Sequence, residues 1–464
     1  MRVLLLNLNA GQFKNSGVVP STLVQLGSML GHQRAFGMQK VADVAIEEID
    51  SLGAARKAVS KHDPAIVGIT AYENTFRVVS AVCKYIKECA PQVQIVAGGP
   101  FATVLPETTL LRGNVDIVCR GEADFTFREL VQRIDRSDSV LGIKGVMLKD
   151  CDRRIQKVTE SDDIPFVSAD VLEKLQLDTG LLRSLFASGR YHDISISLSR
   201  GCPFRGCTFC FYDVRGNWRY ITPEISIQKM ELIEEFGDCI DIADAAFGGP
   251  RKLLQDMLSK FKGRFKNLMV NLTVDQLLTE GEIGSRNPDS DTINLLVEAG
   301  IRRLEVGVEN FCDSMLMRLG KNRYSGEEAM KTVIALVQAG LHVTYNLIIS
   351  DFQTSLSEVE TTLQRADAIK SALAREHTGS LSLATQASAV PLVGTQYYWQ
   401  VLNTAKKDGK DLFTGEGSLD VTYPLYFVDV KQLDPTVEAL VSDIKRVYYG
   451  FNDRYGFVPY RQSF

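Results

Sequence analysis

His192-Asp-Ile-Ser-Ile-Ser-Leu-Ser-Arg-Gly-Cys202-Pro-Phe-Arg-Gly-Cys207-Thr-Phe-Cys210 joins an alternating, β-branched run to three thiols within nine residues. The alternation predicts a strand over Ile194 to Leu198, which puts the cysteines at its carboxyl end. Three sulfurs cannot pair among themselves, and nothing else in the sequence suggests a disulfide framework, so a metal or metal cluster is the leading physical reading. A structural zinc site closes with four protein ligands, and His192 is the nearby candidate for a fourth. A 4Fe-4S cluster held by three cysteines instead leaves one iron open to another ligand. Three free thiols beside a strand, with no cofactor, are the remaining reading of the residues alone.

The stretch resembles the cluster loop of radical S-adenosylmethionine (SAM) enzymes, in which the open iron chelates the amino and carboxylate groups of SAM. That resemblance makes Cys202, Cys207 and Cys210 the cluster ligands. The family spacing is C-x3-C-x2-C, whereas this chain has C-x4-C-x2-C with Gly206 as the extra residue. Glycine tolerates backbone angles that other residues avoid, so the insertion bears on the loop's shape more than on its ligands. Phe209 occupies the position where the family places an aromatic near the adenine of SAM.

With 464 residues the chain is long enough for two or three domains, each with its own core. Its 45% apolar and 23% charged residues are ordinary for a globular protein. A net charge of -5 without long basic runs argues against nucleic acid as a partner. Met1-Arg-Val-Leu-Leu-Leu-Asn7 is too short an apolar run for a signal peptide, and no stretch approaches the roughly 20 apolar residues of a membrane helix. The expectation is a cytoplasmic protein with reduced thiols, its other six cysteines mostly small core residues.

Up to residue 137, short β-branched runs alternate with helical segments, the pattern of a doubly wound parallel sheet. Strands are predicted at Val3 to Leu8, Val44 to Glu48, Ile66 to Thr70, Gln94 to Ala97 and Asp116 to Cys119. Gly98-Gly99-Pro100 follows the fourth and Arg120-Gly121-Glu122 the fifth, at the sheet edge where ligands bind in open α/β folds. Their order and spacing resemble the Rossmann-type cobalamin-binding domain that precedes the radical SAM domain in one large subfamily. The resemblance implies that Gly98, Gly99, Pro100, Gly121 and Glu122 contact cobalamin and that the loop Ala71 to Thr75, with Tyr72 and Glu73, faces the lower side of the corrin. No Asp-x-His-x-x-Gly motif supplies a histidine to cobalt, as in many members of that subfamily. A fold kept as a scaffold without corrin is the plain alternative.

Residues 138–192 read as a connector, with a hairpin around Lys149 to Asp152 and a helical stretch from Ser168 to Phe186. From 193 to 400, strands near Ile194, Cys239, Leu268, Arg303, His342 and Ser380 alternate with helices. Six βα units forming a partial (β/α)6 barrel are the family architecture, and such barrels carry function at strand carboxyl ends. The resemblance implies SAM contacts there: Asp244, Phe247, Gly248 and Gly249 after the second strand, Thr273 after the third, and Glu309 in Gly307-Val-Glu309 at the fourth. Pro391-Leu-Val-Gly394-Thr395-Gln-Tyr397 is similar to the family's Pro-x-x-Gly-Thr-x-Tyr. Tyr212 and Tyr220, just past the cysteines, are candidates to supply or relay a hydrogen, although a core role is commoner for such residues. The tyrosine-rich tail, 401–464, is expected as a small cap over the barrel mouth.

The chemistry implied is reductive cleavage of SAM to a 5'-deoxyadenosyl radical that takes hydrogen from a small-molecule or peptide substrate, with a flavodoxin or ferredoxin as electron donor. With cobalamin bound, C-methylation in a biosynthetic pathway follows; without it, dehydration, deoxygenation or rearrangement. A non-catalytic iron-sulfur or zinc protein is the alternative of another class, though electron carriers rarely devote six βα units to one centre.

Overall fold

The computed structural model describes residues 1–8, 17–149, 155–157, 164–211, 216–374, 379–410, 412–414 and 429–454. The first strand, β1 (Arg2–Leu8), is a near-continuous apolar run because both of its faces are covered. Leu4, Leu6 and Leu8 pack with Val67 and Ile69 on one face, and Val3 and Leu5 with Ile66 and Val96 on the other. After β2 (Val18–Val19) come β3 (Asp43–Ile49), β4 (Ile66–Thr70), β5 (Gln94–Gly98), β6 (Ile117–Cys119), β7 (Val146–Lys149) and β8 (Ile155–Lys157). They form one sheet in the order β3-β1-β4-β5-β6-β7-β8. The pairs from β3 to β6 are parallel, and β6-β7 and β7-β8 are antiparallel. The chain first steps from β1 to β3 and then crosses back to β4, so β1 and β4 flank the switch point where such sheets bind ligands.

The hairpin read as the start of the connector is therefore part of the first sheet. The predicted single helix over Ser168 to Phe186 is two, Ala169–Lys174 and Thr179–Phe186, each started by a capping side chain, Ser168 and Asp178.

The second sheet holds β9 (Asp193–Ile196), β12 (Cys239–Ile242), β13 (Leu268–Thr273), β14 (Ile301–Glu309), β15 (His342–Ile348) and β16 (Ser380–Gln386), all parallel. In the chain between β9 and β12 comes a separate two-stranded ribbon, β10 (Ser199–Arg200) with β11 (Arg219–Tyr220). Unforeseen was the seventh member: β2 pairs parallel with β9, so the segment after β1 is shared with the second domain. Among the described residues β2 and β16 do not pair, and the barrel stays open.

Alternate residues, Ile194, Ile240, Val270, Val306 and Val343 among them, pack on the surrounding helices. The intervening positions carry Ser195, Asp241, Asn271, Glu305 and Asn346. Burial raises the carboxyl of Asp241 to about 6 and also lifts that of Glu305.

In the cap, Leu412 and Val430 pack with Met315, Phe352 and Tyr397 beside the cysteine loop. Tyr423, Tyr426, Tyr455 and Tyr460 lie outside the described residues. No helix among the described residues is long and apolar enough to cross a membrane.

Candidate active site

The cysteine loop leaves β9 and passes through the β10-β11 ribbon, whose register sets Ser199 opposite Tyr220 and Arg200 opposite Arg219. Its far side is fastened by Thr208. That residue's N–H and Oγ1 donate to the carbonyls of Leu319 (3.1 Å) and Arg318 (3.0 Å), and its carbonyl accepts from the Tyr397 N–H (2.7 Å). Gly206 adopts φ +101°, a region that disfavours side chains, although the space around it is open. The extra residue is thus a bulge that leaves the anchored Thr208 segment in place.

Burial raises the Cys202 thiol, with the neighbouring Cys207 adding to the rise, while Lys321 and Arg323 favour the thiolate. Lys321 is buried, its Nζ 3.0 Å from Glu309 Oε1. The Arg323 guanidinium lies over the Phe204 ring at 4.6 Å, and its Nε donates to Asp275 (3.1 Å). Arg323 Nη2 is buried with no partner among the described residues.

Among the described residues no three His, Cys, Asp or Glu side chains are set to hold a single metal ion. A cluster is held at its corners, so its ligands need not converge on one point. The His192 N–H donates to the Gly17 carbonyl (2.9 Å) at the opposite end of β9 from the cysteines, so it does not close a zinc tetrahedron with them. Three thiols and two cations, with no fourth ligand among the described residues, fit an anionic cluster with one open corner.

Glu309 ends β14 at φ +62°, a strained conformation for a residue with a side chain, beside a register shift. Gly307 makes this possible: a Cβ there would stand 2.8 Å from Glu309 Oε1. The Gly-x-Glu segment therefore has a local cause, and its carboxylate is spent on Lys321.

Other expected SAM contacts are differently engaged. Asp244 Oδ1 accepts the N–H groups of Leu198 (2.8 Å) and Ser199 (2.9 Å), and burial raises its carboxyl to about 7. It positions the loop leading to the cysteines. Phe247 is fully buried against Leu254 and Phe261, a core residue, because its strand end turns inward over the helix Arg251–Phe261. In the turn Gly248-Gly249, the Gly249 carbonyl accepts from Gln276 Nε2 (2.6 Å) and its N–H donates to Ala246. Thr273 Oγ1 donates to Asp275 (2.7 Å), capping the short helix Val274–Leu277.

Phe209 packs against the apolar cluster of Leu319, Phe352 and Tyr397, seating the loop. Tyr220, 39% exposed, stacks on Trp218 at 4.5 Å. Tyr212 lies outside the described residues.

A cavity of about 260 Å³ opens between the carboxyl edge of the first sheet and the mouth of the barrel. Leu5, Gly68, Val96 and Phe127 supply an apolar part of its lining. Tyr72, Gly98, Gly99, Pro100, Gly121 and Glu122 line it together from the first domain, and Ser199, Arg200, Gly201, Phe211, Ala243 and Ala245 from the second. Apolar side chains together with polar groups suit one end of a ligand with an aromatic tail and amide-bearing edges, which cobalamin has; about 260 Å³ holds part of such a ligand. Glu73, next to Tyr72, keeps both carboxylate oxygens buried and unpartnered among the described residues, and burial lifts its carboxyl well above the ordinary range.

Glu122 differs from a plain cofactor contact. Arg219 grips it through Nη1 (2.9 Å) and Nη2 (2.8 Å), and the Val167 N–H donates to it (2.8 Å). Arg200, Asp124, Lys321 and Arg323 escaped the sequence reading. Arg200 was signalled only by standing two residues before Cys202, and Asp124 by following Arg-Gly-Glu at a helix start.

Residues 34–131 match the B12 binding domain family, and residues 196–366 the Radical SAM superfamily. The cofactors expected from the sequence, cobalamin, SAM and a 4Fe-4S cluster, are those of these two families. The chain is 27% identical over 358 residues to the uncharacterized methyltransferase PH0819 of Pyrococcus horikoshii, covering 75% of this chain and 72% of that protein. It is 20% identical over 385 residues to the 4'-phospho-dehydrooxetanocin synthase of Priestia megaterium, covering 76% of this chain and 49% of that one. Among solved structures, the cobalamin-dependent SAM radical enzyme OxsB, with aqua-cobalamin and SAM bound, superposes with a TM-score of 0.72 at 17% identity, over 98% of this chain and 67% of that one. That likeness is one of fold.

Proposed function

We propose that this chain, which belongs to the radical SAM enzymes carrying an N-terminal B12-binding domain, is a cobalamin-dependent C-methyltransferase acting on a small molecule in a biosynthetic pathway. The observation that carries the reading is the shared cavity: its walls come from both domains, and the lining residue Gly201 is bonded directly to Cys202. When bound, the cluster and SAM supply a carbon-centred oxidant for an unactivated C–H bond, and cobalamin supplies a methyl group.

The chain's own residues hold and enclose. Cys202, Cys207 and Cys210 bind the cluster, while Lys321 and Arg323 offset its negative charge. The Glu309-Lys321 pair and the Thr273-Asp275-Arg323 chain of bonds fix the strand ends around SAM. Gly98, Gly99, Pro100 and Gly121 would hold cobalamin through close backbone contact, together with the loop that carries Tyr72 and Glu73. To Tyr220, exposed and stacked on Trp218 beside the loop, this reading assigns the relay of a hydrogen. The electron comes from a flavodoxin- or ferredoxin-type donor in the cytoplasm.

A second reading, a radical dehydration, deoxygenation or rearrangement, is favoured by the likeness to a synthase, the 4'-phospho-dehydrooxetanocin synthase. The two are separated by expressing the protein with hydroxocobalamin, reconstituting it anaerobically and analysing the products of SAM. Methyl transfer yields S-adenosylhomocysteine alongside 5'-deoxyadenosine. Formation of 5'-deoxyadenosine alone by a corrin-loaded protein would count against the methyltransferase and for rearrangement.

A further inference from the structure

Two arginines face each other across the ribbon that brackets the cysteine loop, Arg200 on β10 and Arg219 on β11. Like charges directly opposite in a sheet repel unless each is neutralised. Here both are neutralised by the other domain. Arg200 forks onto Asp124, Nη1 to Oδ2 at 2.6 Å and Nη2 to Oδ1 at 3.0 Å, and its Nη1 lies 3.2 Å from Glu122. Arg219 forks onto Glu122. Gln25 Nε2 donates to Asp124 (2.6 Å), tying in the helix Ser21–Leu30. All four side chains are largely buried, 18% exposed at most.

Both carboxylates belong to the turn and helix start after β6, which line the cavity, and Arg200 lines it too. One guanidinium is therefore at once a wall of the cavity and, two residues along the chain, the lead-in to Cys202. Forks of this kind transmit orientation as well as charge.

The geometry points to Arg200, with Asp124, as positioning residues that couple the two cofactor sites: ordering the cysteine loop around its cluster stiffens the ribbon, and the stiffened ribbon completes the wall against which cobalamin packs. This rests on the function proposed above. Coupling of this kind is reciprocal, so filling the cavity steadies the cluster loop by the same factor.

The test uses the full chain, with and without anaerobic iron-sulfur reconstitution, titrated with hydroxocobalamin in equilibrium dialysis and read by corrin absorbance. Cluster-loaded wild type binds hydroxocobalamin about 5-fold or more tightly than cluster-free wild type. In Arg200→Lys, which keeps the charge and loses the fork, and in Asp124→Asn, which keeps the shape, that ratio falls to about one while both cofactors still bind. The electron paramagnetic resonance signal of the reduced cluster shifts on adding hydroxocobalamin in wild type and not in the variants. If Arg200→Lys fails to fold, Asp124→Asn alone decides. A ratio near one in wild type, or an undiminished ratio in the variants, overturns the coupling. A cluster-loaded wild type that binds no hydroxocobalamin at all overturns the cobalamin reading, and this inference with it.

Discussion

Replacing Lys321 with Met leaves the Glu309 carboxylate buried without its cation. The pair is 3.0 Å apart with side chains 7% and 12% exposed, so little solvent screens it. Removing one partner of such a pair costs about 3–5 kcal/mol, because the other charge stays buried and unpaired. At about 2–4 °C per kcal/mol for a domain of this size, the Tm of the barrel falls by roughly 6–20 °C. Glu309 is additionally held at φ +62°, strain that only its surroundings sustain. The double variant Glu309→Gln with Lys321→Met removes the stranded charge and recovers more than half of the loss. Anaerobic thermal unfolding followed by circular dichroism measures all three proteins. A single variant within about 0.5 kcal/mol of wild type, the ordinary range for a surface change, would refute the reasoning.

Asp244, raised to about 7 from its ordinary 3.8, keeps a proton in the folded state that the unfolded chain loses. Its contribution to stability is full below about pH 4 and is lost as pH rises to about 7, at up to about 1.4 kcal/mol per unit. Asp244→Asn removes that slope, which appears as the difference between urea-unfolding curves of the two proteins across this range. Gly307→Ala drives a Cβ to within 2.8 Å of Glu309 Oε1, costs about 1–3 kcal/mol by overpacking, and weakens SAM binding measured by dialysis. Gly206→Ala meets no neighbour but is opposed by its φ of +101°; a loss of about 1–3 kcal/mol with iron content retained is expected on unfolding and iron assay.

The sequence made the alternating units legible because their periodicities are long: β4, β12 and β16 lie where the pattern put them, and β14 extends it by a few residues. It could not show β2, two residues long and without a period, nor that β7 and β8 extend the first sheet, since pairing across β6 is a tertiary choice. The cysteine spacing announced the loop. The roles of its neighbours were harder to read, because Asp244 and Phe247 stand at a strand end where the chain turns, and only packing decides which side chains face the cavity. Phe247 turned into the core and Asp244 onto the backbone of Leu198 and Ser199. The Arg200-Asp124 fork joins residues 76 apart and leaves no local trace in the sequence.

What the three thiols do to SAM decides whether this chain works as a radical SAM enzyme. The anaerobically reconstituted chain, given SAM and a strong reductant, is predicted to carry about four irons per chain and to release 5'-deoxyadenosine. The variant with Cys202, Cys207 and Cys210 all changed to Ala is predicted to do neither. A wild type that forms no 5'-deoxyadenosine, or a triple variant that forms as much as wild type, would contradict it.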